Sequence, residues 1–184
     1  MQIKISSPQI LKILNVLSWI IFIGVCIEAG GFLFNSFYAL VLNPIGAKYF
    51  WNHLDLSSLY QFDHGYFFVT TTLINIVVVL KACLFYVIVK YLYSRKLDLS
   101  KPFSIDLRRF ILNLGYLALG ISVFTLWGAN YIEWIMKKGI EMPALQNLHL
   151  AGAEIWLFMS ISLFVIAQII KSGIEIQSEN ELTV

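Results

Sequence analysis

The chain has 184 residues, of which 59% are hydrophobic and 13% charged, with a formal net charge of +2. This composition excludes an ordinary soluble globular domain and predicts an integral membrane protein. Each crossing of a bilayer needs about 20 apolar residues. Four apolar runs therefore use almost the whole length, and we expect no separate soluble domain.

The four apolar runs predict an all-α polytopic fold, an antiparallel bundle of four transmembrane helices that forms one transmembrane domain over residues 1–184. The first run is too long for the apolar core of a cleaved signal peptide, so we expect it to be retained. An even number of crossings puts both termini on one side. The predicted helices cover about 11–42, 66–91, 103–134 and 148–171, and a tail follows at 172–184.

Lysine and arginine residues divide unequally between the two sides of the predicted bundle. The side that holds the termini carries Lys4, Lys12, Lys90, Arg95, Lys96, Lys101, Arg108, Arg109 and Lys171, and the opposite loops carry Lys48, Lys137 and Lys138. Basic residues near helix ends resist translocation. We therefore expect the termini and the loop Lys90 to Arg109 to lie in the cytoplasm.

Ionisable residues at membrane depth are costly unless they are paired or wetted. Glu28 and Glu154 lie in the outer parts of their helices, whereas Lys81 lies about 22 Å below the outer end of its own helix. A direct pair between Glu28 and Lys81 is therefore not expected. We expect Lys81 to reach toward the cytoplasmic half, solvated by Asn15, Asn113 and Gln168, or to snorkel. Polar contacts between helices are the favoured role of these intramembrane groups.

All three histidines, His53, His64 and His149, fall in the outer loops, close to Asp55 and Asp63. Imidazole and carboxylate groups are common metal ligands. Their spacing matches no recognised ligand pattern, so we predict no metal site. A response of these histidines to external pH is the stronger of the two alternatives, because imidazole titrates near neutral pH.

Catalytic motifs are absent from the sequence. It contains no glycine-rich phosphate loop, no nucleophile elbow, no paired-cysteine metal motif and no His-Glu-x-x-His helix. The polar residues at membrane depth are also few. We therefore do not expect an enzyme, and we predict no cofactor.

Two segments of opposite charge are expected on the cytoplasmic side. The loop carries the basic residues Arg95, Lys96, Lys101, Arg108 and Arg109, and the tail carries Glu175, Glu179 and Glu181. A helical extension, a strand added to a partner and a disordered end are all compatible with the tail, and Gly173 suits a helix stop. Docking of the tail on the loop and binding of a partner both remain open.

Three motifs carry a family resemblance: the loop residues Lys96–Phe103, the residues Gly152–Trp156 that open the last helix, and the C-terminal stretch Phe164–Val184. They resemble the DUF2975 family of small four-helix bacterial membrane proteins, whose function is uncharacterised. The resemblance covers mainly the part of the chain from about Tyr91 onward. It implies a multi-pass protein of the bacterial cytoplasmic (inner) membrane, and a neighbouring gene that encodes a small helix–turn–helix DNA-binding protein.

The leading hypothesis is therefore a sensor or anchor in the lipid bilayer for a cytoplasmic helix–turn–helix regulator, without direct contact between this chain and nucleic acid. The alternative is a small transport or conduction protein, with Glu28, Lys81 and Glu154 along a polar path. The sequence leaves the oligomeric state open.

Overall fold

The fold is that of a computed structural model, which describes residues 7–94 and 103–182, with side chains at 9–94 and 103–179. It contains five α-helices: α1 Ser7–Phe37, α2 Ser57–Phe62, α3 His64–Tyr93, α4 Ile105–Met136 and α5 Ala153–Leu182. The end of α1 continues as a π-helical turn, Tyr38–Leu42, and two 3₁₀ helices follow at Pro44–Ala47 and Trp51–His53. The described residues form no strand.

Four of the helices are long and apolar enough to cross a membrane, over Gln9–Leu42, His64–Tyr93, Ile105–Met136 and Ala153–Glu179. The predicted all-α class is therefore confirmed, as are four helices long and apolar enough to span a membrane. The cytoplasmic position of the termini stays a prediction from the distribution of Lys and Arg.

Side-chain caps fix the starts of two of the spanning helices. Ser104 Oγ accepts a hydrogen bond of 3.1 Å from the Leu107 backbone N–H, so α4 begins at Ile105, two residues later than predicted. Asp63 Oδ1 accepts one of 2.9 Å from the Tyr66 N–H at the start of α3. Each oxygen satisfies one of the backbone N–H groups that the first turn of a helix leaves unpaired.

The four long helices pack side by side in chain order, and each is antiparallel to the next. One contact marks each interface: Ser36 with Asn75 between α1 and α3, Tyr91 with Phe110 between α3 and α4, and Gly115 with Ser160 between α4 and α5. Among the described residues no extensive contact joins α1 to α5. We call the end with the starts of α1 and α4 the terminal side, and the opposite end the loop side.

Residues 43–63 form a compact cap on the loop side. Leu56 and Leu59 are fully buried, and Phe50 packs against Phe32 of α1 with ring centroids 5.9 Å apart. These apolar residues interrupt an otherwise polar loop because they form its small core. Each fully buried side chain contributes about 1.5 to 3 kcal/mol to the stability of the fold. The cap thus holds the loop-side ends of α1 and α3 together.

Residues 137–152 do not stay outside the bundle but fold back between the helices. The Ala153 carbonyl, at the start of α5, accepts a hydrogen bond of 2.8 Å from Ser122 Oγ, in the middle of α4. At 1.5 Å per residue, α5 therefore starts about 21 Å below the loop-side end of α4. Buried Leu148 and Leu150 fill the space beside that half of α4. The predicted helix start at Leu148 is wrong, because these leucines belong to the folded-back segment.

Candidate functional site

The tip of the folded-back segment brings together two ionisable residues that are far apart in sequence. His149 Nε2 lies 2.9 Å from Glu28 Oε1 of α1. Lys81 Nζ of α3 donates a hydrogen bond of 3.4 Å to the backbone carbonyl of the same histidine. His149 thus links an acid on one helix to a base on another. We call Glu28, Lys81 and His149 the triad.

The position expected for Lys81 is corrected by this contact. We expected its ammonium group to point toward the terminal side, where Asn15, Asn113 and Gln168 would solvate it. Its hydrogen bond runs instead to the carbonyl of His149, and its Nζ lies 5.7 Å from the centroid of the Trp156 ring in the first turn of α5. The reason is the folded-back segment, which carries a loop carbonyl down to the level of Lys81.

The backbone at His149 is in an uncommon conformation. Its φ is +58°, in the left-handed region, and the two residues beside it, Leu148 and Leu150, are fully buried. Few residues other than glycine adopt this conformation, although histidine, asparagine and aspartate do so more often than most. Burial of both neighbours holds the turn in place, and the turn aims the imidazole at Glu28. Such local strain is concentrated at functional sites in proteins.

Surrounding groups set the protonation state of the imidazole. Burial is the largest effect and lowers the pKa of His149 below its ordinary value; the charge of Lys81 lowers it further, while Glu28 opposes both. The net direction is downward. At neutral pH the ring is therefore uncharged, and its Nε2–H donates to the Glu28 carboxylate, which can only accept. The edge of the ring also meets Phe32, with centroids 5.3 Å apart and the planes at 90°.

The side chains of the triad are partly accessible. Glu28 is 34% exposed and His149 24% exposed. Neither side chain is fully enclosed by protein, so packing alone does not bar a proton from the imidazole. The arrangement can therefore take up a proton at the imidazole, which converts a neutral hydrogen-bond donor into a cation beside Lys81.

Two of the predicted intramembrane polar residues lie outside the triad. Glu154 is exposed in the first turn of α5, where a carboxylate interacts favourably with the positive end of the helix dipole. Gln168 is exposed in the middle of the same helix and lines a groove that also contains Phe103 and Gly173. These two residues contribute no group to the triad.

The remaining loop-side polar residues have structural roles. Asp55 Oδ1 accepts hydrogen bonds from the backbone N–H and the hydroxyl of Ser57, which together hold the pKa of that carboxyl below its ordinary value. Asp63 caps α3, and the His64 ring packs on Tyr60 with centroids 4.3 Å apart. Within residues 7–94 and 103–182, no three His, Cys, Asp or Glu side chains are grouped so that they could hold a metal ion.

The predicted charged surface on the terminal side is described only in part. Arg95, Lys96 and Lys101 lie outside the described residues, as does the side chain of Glu181. Arg108 and Arg109 lie in the first turns of α4. The tail forms a helix: α5 passes through Gly173 without a break and continues to Leu182, so that Glu175 and Glu179 are exposed on it.

We call residues 172–182 of α5 the helical extension. Two contacts hold its start. Lys171 Nζ lies 3.5 Å from Glu175 Oε1, one helical turn further along α5. The Phe103 ring, just before α4, lies directly against Gly173, in the space that a Cβ at that position would fill. The extension thus touches the end of the loop through an apolar contact at Phe103.

Comparisons of the chain with protein-family models, with curated proteins and with solved structures found no match.

Proposed function

We propose that the chain is a membrane sensor in which the triad, at the tip of the folded-back segment, is coupled through α5 to a cytoplasmic partner. The observation that carries this proposal is continuity: His149 precedes Ala153, the first residue of α5, by only four positions, and α5 continues to Leu182. A change at the imidazole therefore acts on the start of the helix whose other end forms the terminal-side extension.

The contacts of the folded-back segment supply the coupling. The Glu28 carboxylate and the Lys81 ammonium group hold His149 from two helices, and Ser122 holds the start of α5 through the Ala153 carbonyl. Protonation of the imidazole places a second cation beside Lys81 and favours release of the segment. Allosteric coupling needs such an element with two arrangements whose populations the stimulus changes.

The proposed output is the helical extension of α5 together with the first turns of α4. Glu175 and Glu179 are exposed on the extension, and Arg109 is exposed on α4. Positive-inside counting supports a cytoplasmic position for both. The resemblance to the DUF2975 family supports a helix–turn–helix regulator as the partner, bound by protein–protein contacts.

Co-purification tests the partner. The resemblance to the DUF2975 family implies a helix–turn–helix protein encoded beside this chain. The detergent-solubilised chain is expected to co-purify with that protein, and deletion of residues 172–184 is expected to weaken or abolish the complex. If neither the full chain nor the truncated one binds the regulator, the proposed anchoring function is wrong.

Amide hydrogen exchange tests the coupling without any partner. Acidification from about pH 7.5 to about pH 5.5, a range in which histidine titrates, is expected to increase exchange at 137–152 and to change it at 172–182, after correction for the intrinsic rate. His149→Asn is expected to remove both responses. If acidification changes amide exchange at 137–152 but not at 172–182, coupling through α5 is contradicted.

A transport or conduction function is the second candidate. The observation in its favour is that Glu28 and Lys81, two of the three residues of the suggested polar path, converge on His149. Glu154 lies apart from them and is exposed. Ion or proton flux in proteoliposomes that falls with Glu28→Gln and Lys81→Met would support this candidate, and flux unaffected by these changes and by Glu154→Gln would remove it.

A further inference from the structure

A groove of about 360 Å³ lies between the terminal-side ends of α3 and α4, far from the triad. Its walls include the cations Lys90 and Arg109 and the rings of Tyr91 and Phe110. Both cationic side chains are exposed, whereas Tyr91 is only 7% exposed. The groove therefore combines a buried aromatic wall with a charged rim.

The hydroxyl of Tyr91 is the unusual feature of this groove. The ring stacks on Phe110 at a centroid distance of 4.0 Å with an angle of 6° between the planes. Its Oη is buried and has no hydrogen-bond partner among the described residues. A buried hydroxyl without a partner is destabilising, and buried polar groups in proteins are nearly always paired. This hydroxyl therefore points to a ligand that carries an acceptor.

The charges at the rim indicate the sign of that ligand. Lys90 and Arg109 contribute two positive charges, and Asp106, which also lines the groove, contributes one negative charge, so the described ionisable groups that line the groove sum to +1. Asn113 adds an amide that can donate hydrogen bonds. An anionic group with several acceptor oxygens matches both the net charge and the donors.

The location indicates where the anion comes from. Lys90 and Tyr91 lie in the last turn of the span His64–Tyr93, and Arg109 in the first turns of the span Ile105–Met136. Those are the depths at which phospholipid headgroups meet a membrane protein. The neighbouring Tyr86 is 49% exposed and lines the same groove, which gives a glycerol backbone and acyl chains an apolar surface.

We propose that this groove binds the phosphate of an anionic phospholipid, with Tyr91 Oη donating to a phosphate oxygen and with Lys90 and Arg109 neutralising the charge. Basic pockets between transmembrane helices are a known means of headgroup recognition. The assignment is independent of the proposed sensor function, since it uses none of the triad.

The test is lipid-dependent thermal stability of the full chain in detergent micelles. Phosphatidylglycerol is expected to raise the unfolding temperature, whereas phosphatidylcholine and inorganic phosphate are expected to change it little. Tyr91→Phe and Arg109→Gln are each expected to weaken the apparent affinity for phosphatidylglycerol roughly tenfold, the effect of losing one charge-assisted hydrogen bond.

Matched controls separate the groove from general effects of charge and hydroxyl loss. Tyr116→Phe removes a hydroxyl from the exposed surface of α4, and Lys137→Gln removes a positive charge at its loop-side end. Both are expected to leave the affinity unchanged. An equal loss in Tyr91→Phe and Tyr116→Phe would overturn the proposal, as would equal stabilisation by phosphatidylcholine. Stabilisation by inorganic phosphate alone would overturn the lipid assignment.

Native mass spectrometry of the unaltered chain keeps the proposal testable if a variant fails to fold. With phosphatidylglycerol and phosphatidylcholine at equal concentration, one phosphatidylglycerol molecule is expected to stay bound at collision energies that remove the others. Equal retention of the two lipids would contradict the proposal.

Discussion

His149 Nε2 donates a 2.9 Å hydrogen bond to Glu28 Oε1, and so joins the folded-back segment to α1, the helix most distant from α5 in the row. Without this bond the Glu28 carboxylate, in the middle of the span Gln9–Leu42, would have no partner from the loop. The carbonyl of the same histidine accepts a hydrogen bond from Lys81. One loop residue therefore bridges two helices. A substitution at His149 alters both contacts without changing a residue of α1 or α3.

We predict that His149→Asn destabilises the fold by about 1 to 3 kcal/mol. The asparagine amide can also donate, but it ends one atom short of the position of Nε2, so the partly buried Glu28 carboxylate loses its donor. Asparagine tolerates the left-handed conformation at this position, so the backbone contributes little to the change. Chemical unfolding in detergent micelles measures the difference.

The matched control for this variant is His53→Asn, since His53 is exposed and also has a left-handed backbone, with a φ of +60°. It is expected to change stability by less than about 0.5 kcal/mol, as surface substitutions usually do. Equal destabilisation by the two substitutions would show that the bond to Glu28 does not stabilise the fold.

Stability is predicted to depend on pH through the same residue. The pKa of His149 is lower in the folded state than its ordinary value, because of burial and the nearby charge of Lys81, with Glu28 opposing them. The unfolded state then binds a proton more readily than the folded state, so stability is fully present above about pH 6.5, the ordinary value. It is lost as the pH falls from there through the lowered pKa.

The measurement is the unfolding temperature of the full chain from about pH 8 to about pH 5, a range centred on the histidine titration. His149→Asn is expected to flatten this profile, whereas His53→Asn and His64→Asn are expected to keep it. If the unfolding temperature of His149→Asn depends on pH as that of the unaltered chain does, another group causes the acid sensitivity.

The spans could be predicted from the sequence because they depend on local apolarity and length alone. The same holds for the cap at Ser104, which needs only a hydroxyl beside the first turn of a helix. The start of α5 was missed because Leu148 and Leu150 are apolar both in a helix and in a buried loop. Gly152, with a φ of +76°, and Glu154 after it were the available signals for the later start.

The triad could not be derived from the sequence. The expected difference in depth between Glu28 and Lys81 is wrong: counted from the contact of Ser36 with Asn75, the two residues lie about 12 Å and about 9 Å further along α1 and α3, at nearly one level. The expectation that no loop residue reaches them also assumes that the loops stay outside. The path of residues 137–152 has no periodicity from which to predict it, and only the folded segment shows that His149 reaches both helices. The sequence places all three histidines in the outer loops, but nothing in their spacing separates His149 from His53 and His64.

Opposite shifts of the acid transition are predicted for the two partners of His149. Lys81→Met removes a charge that lowers the pKa of His149, so the midpoint of the pH profile is expected to rise. Glu28→Gln removes a charge that raises this pKa, so the midpoint is expected to fall. Titration of the His149 ring by NMR measures both shifts directly.

Lys137→Met is the control for Lys81→Met, because it removes the same charge from an exposed position at the loop-side end of α4. It is expected to leave the His149 midpoint in place. Shifts of equal sign in Lys81→Met and Glu28→Gln would mean that the two charges do not act on the imidazole as their geometry implies.

The contact between α4 and the folded-back segment is predicted to depend on the absence of a side chain at Gly128. A Cβ at this position would lie 2.6 Å from Cδ2 of Leu150, which is 1% exposed, so the leucine would have to shift against the residues packed around it. Gly128→Ala is therefore expected to destabilise the fold by about 1 to 3 kcal/mol through overpacking. It is also expected to increase amide exchange at His149, the residue beside Leu150.

Gly120→Ala is the matched control, since it lies in the same helix and its Cβ would meet Leu80 at an ordinary 3.6 Å. Alanine favours a helix by about 1 kcal/mol over glycine, so this variant is expected to be neutral or more stable. The difference between the two variants isolates the contact with the loop from the helix propensity that both share. If both variants have the same stability and the same exchange at His149, the packing of Leu150 on Gly128 does not hold the segment in place.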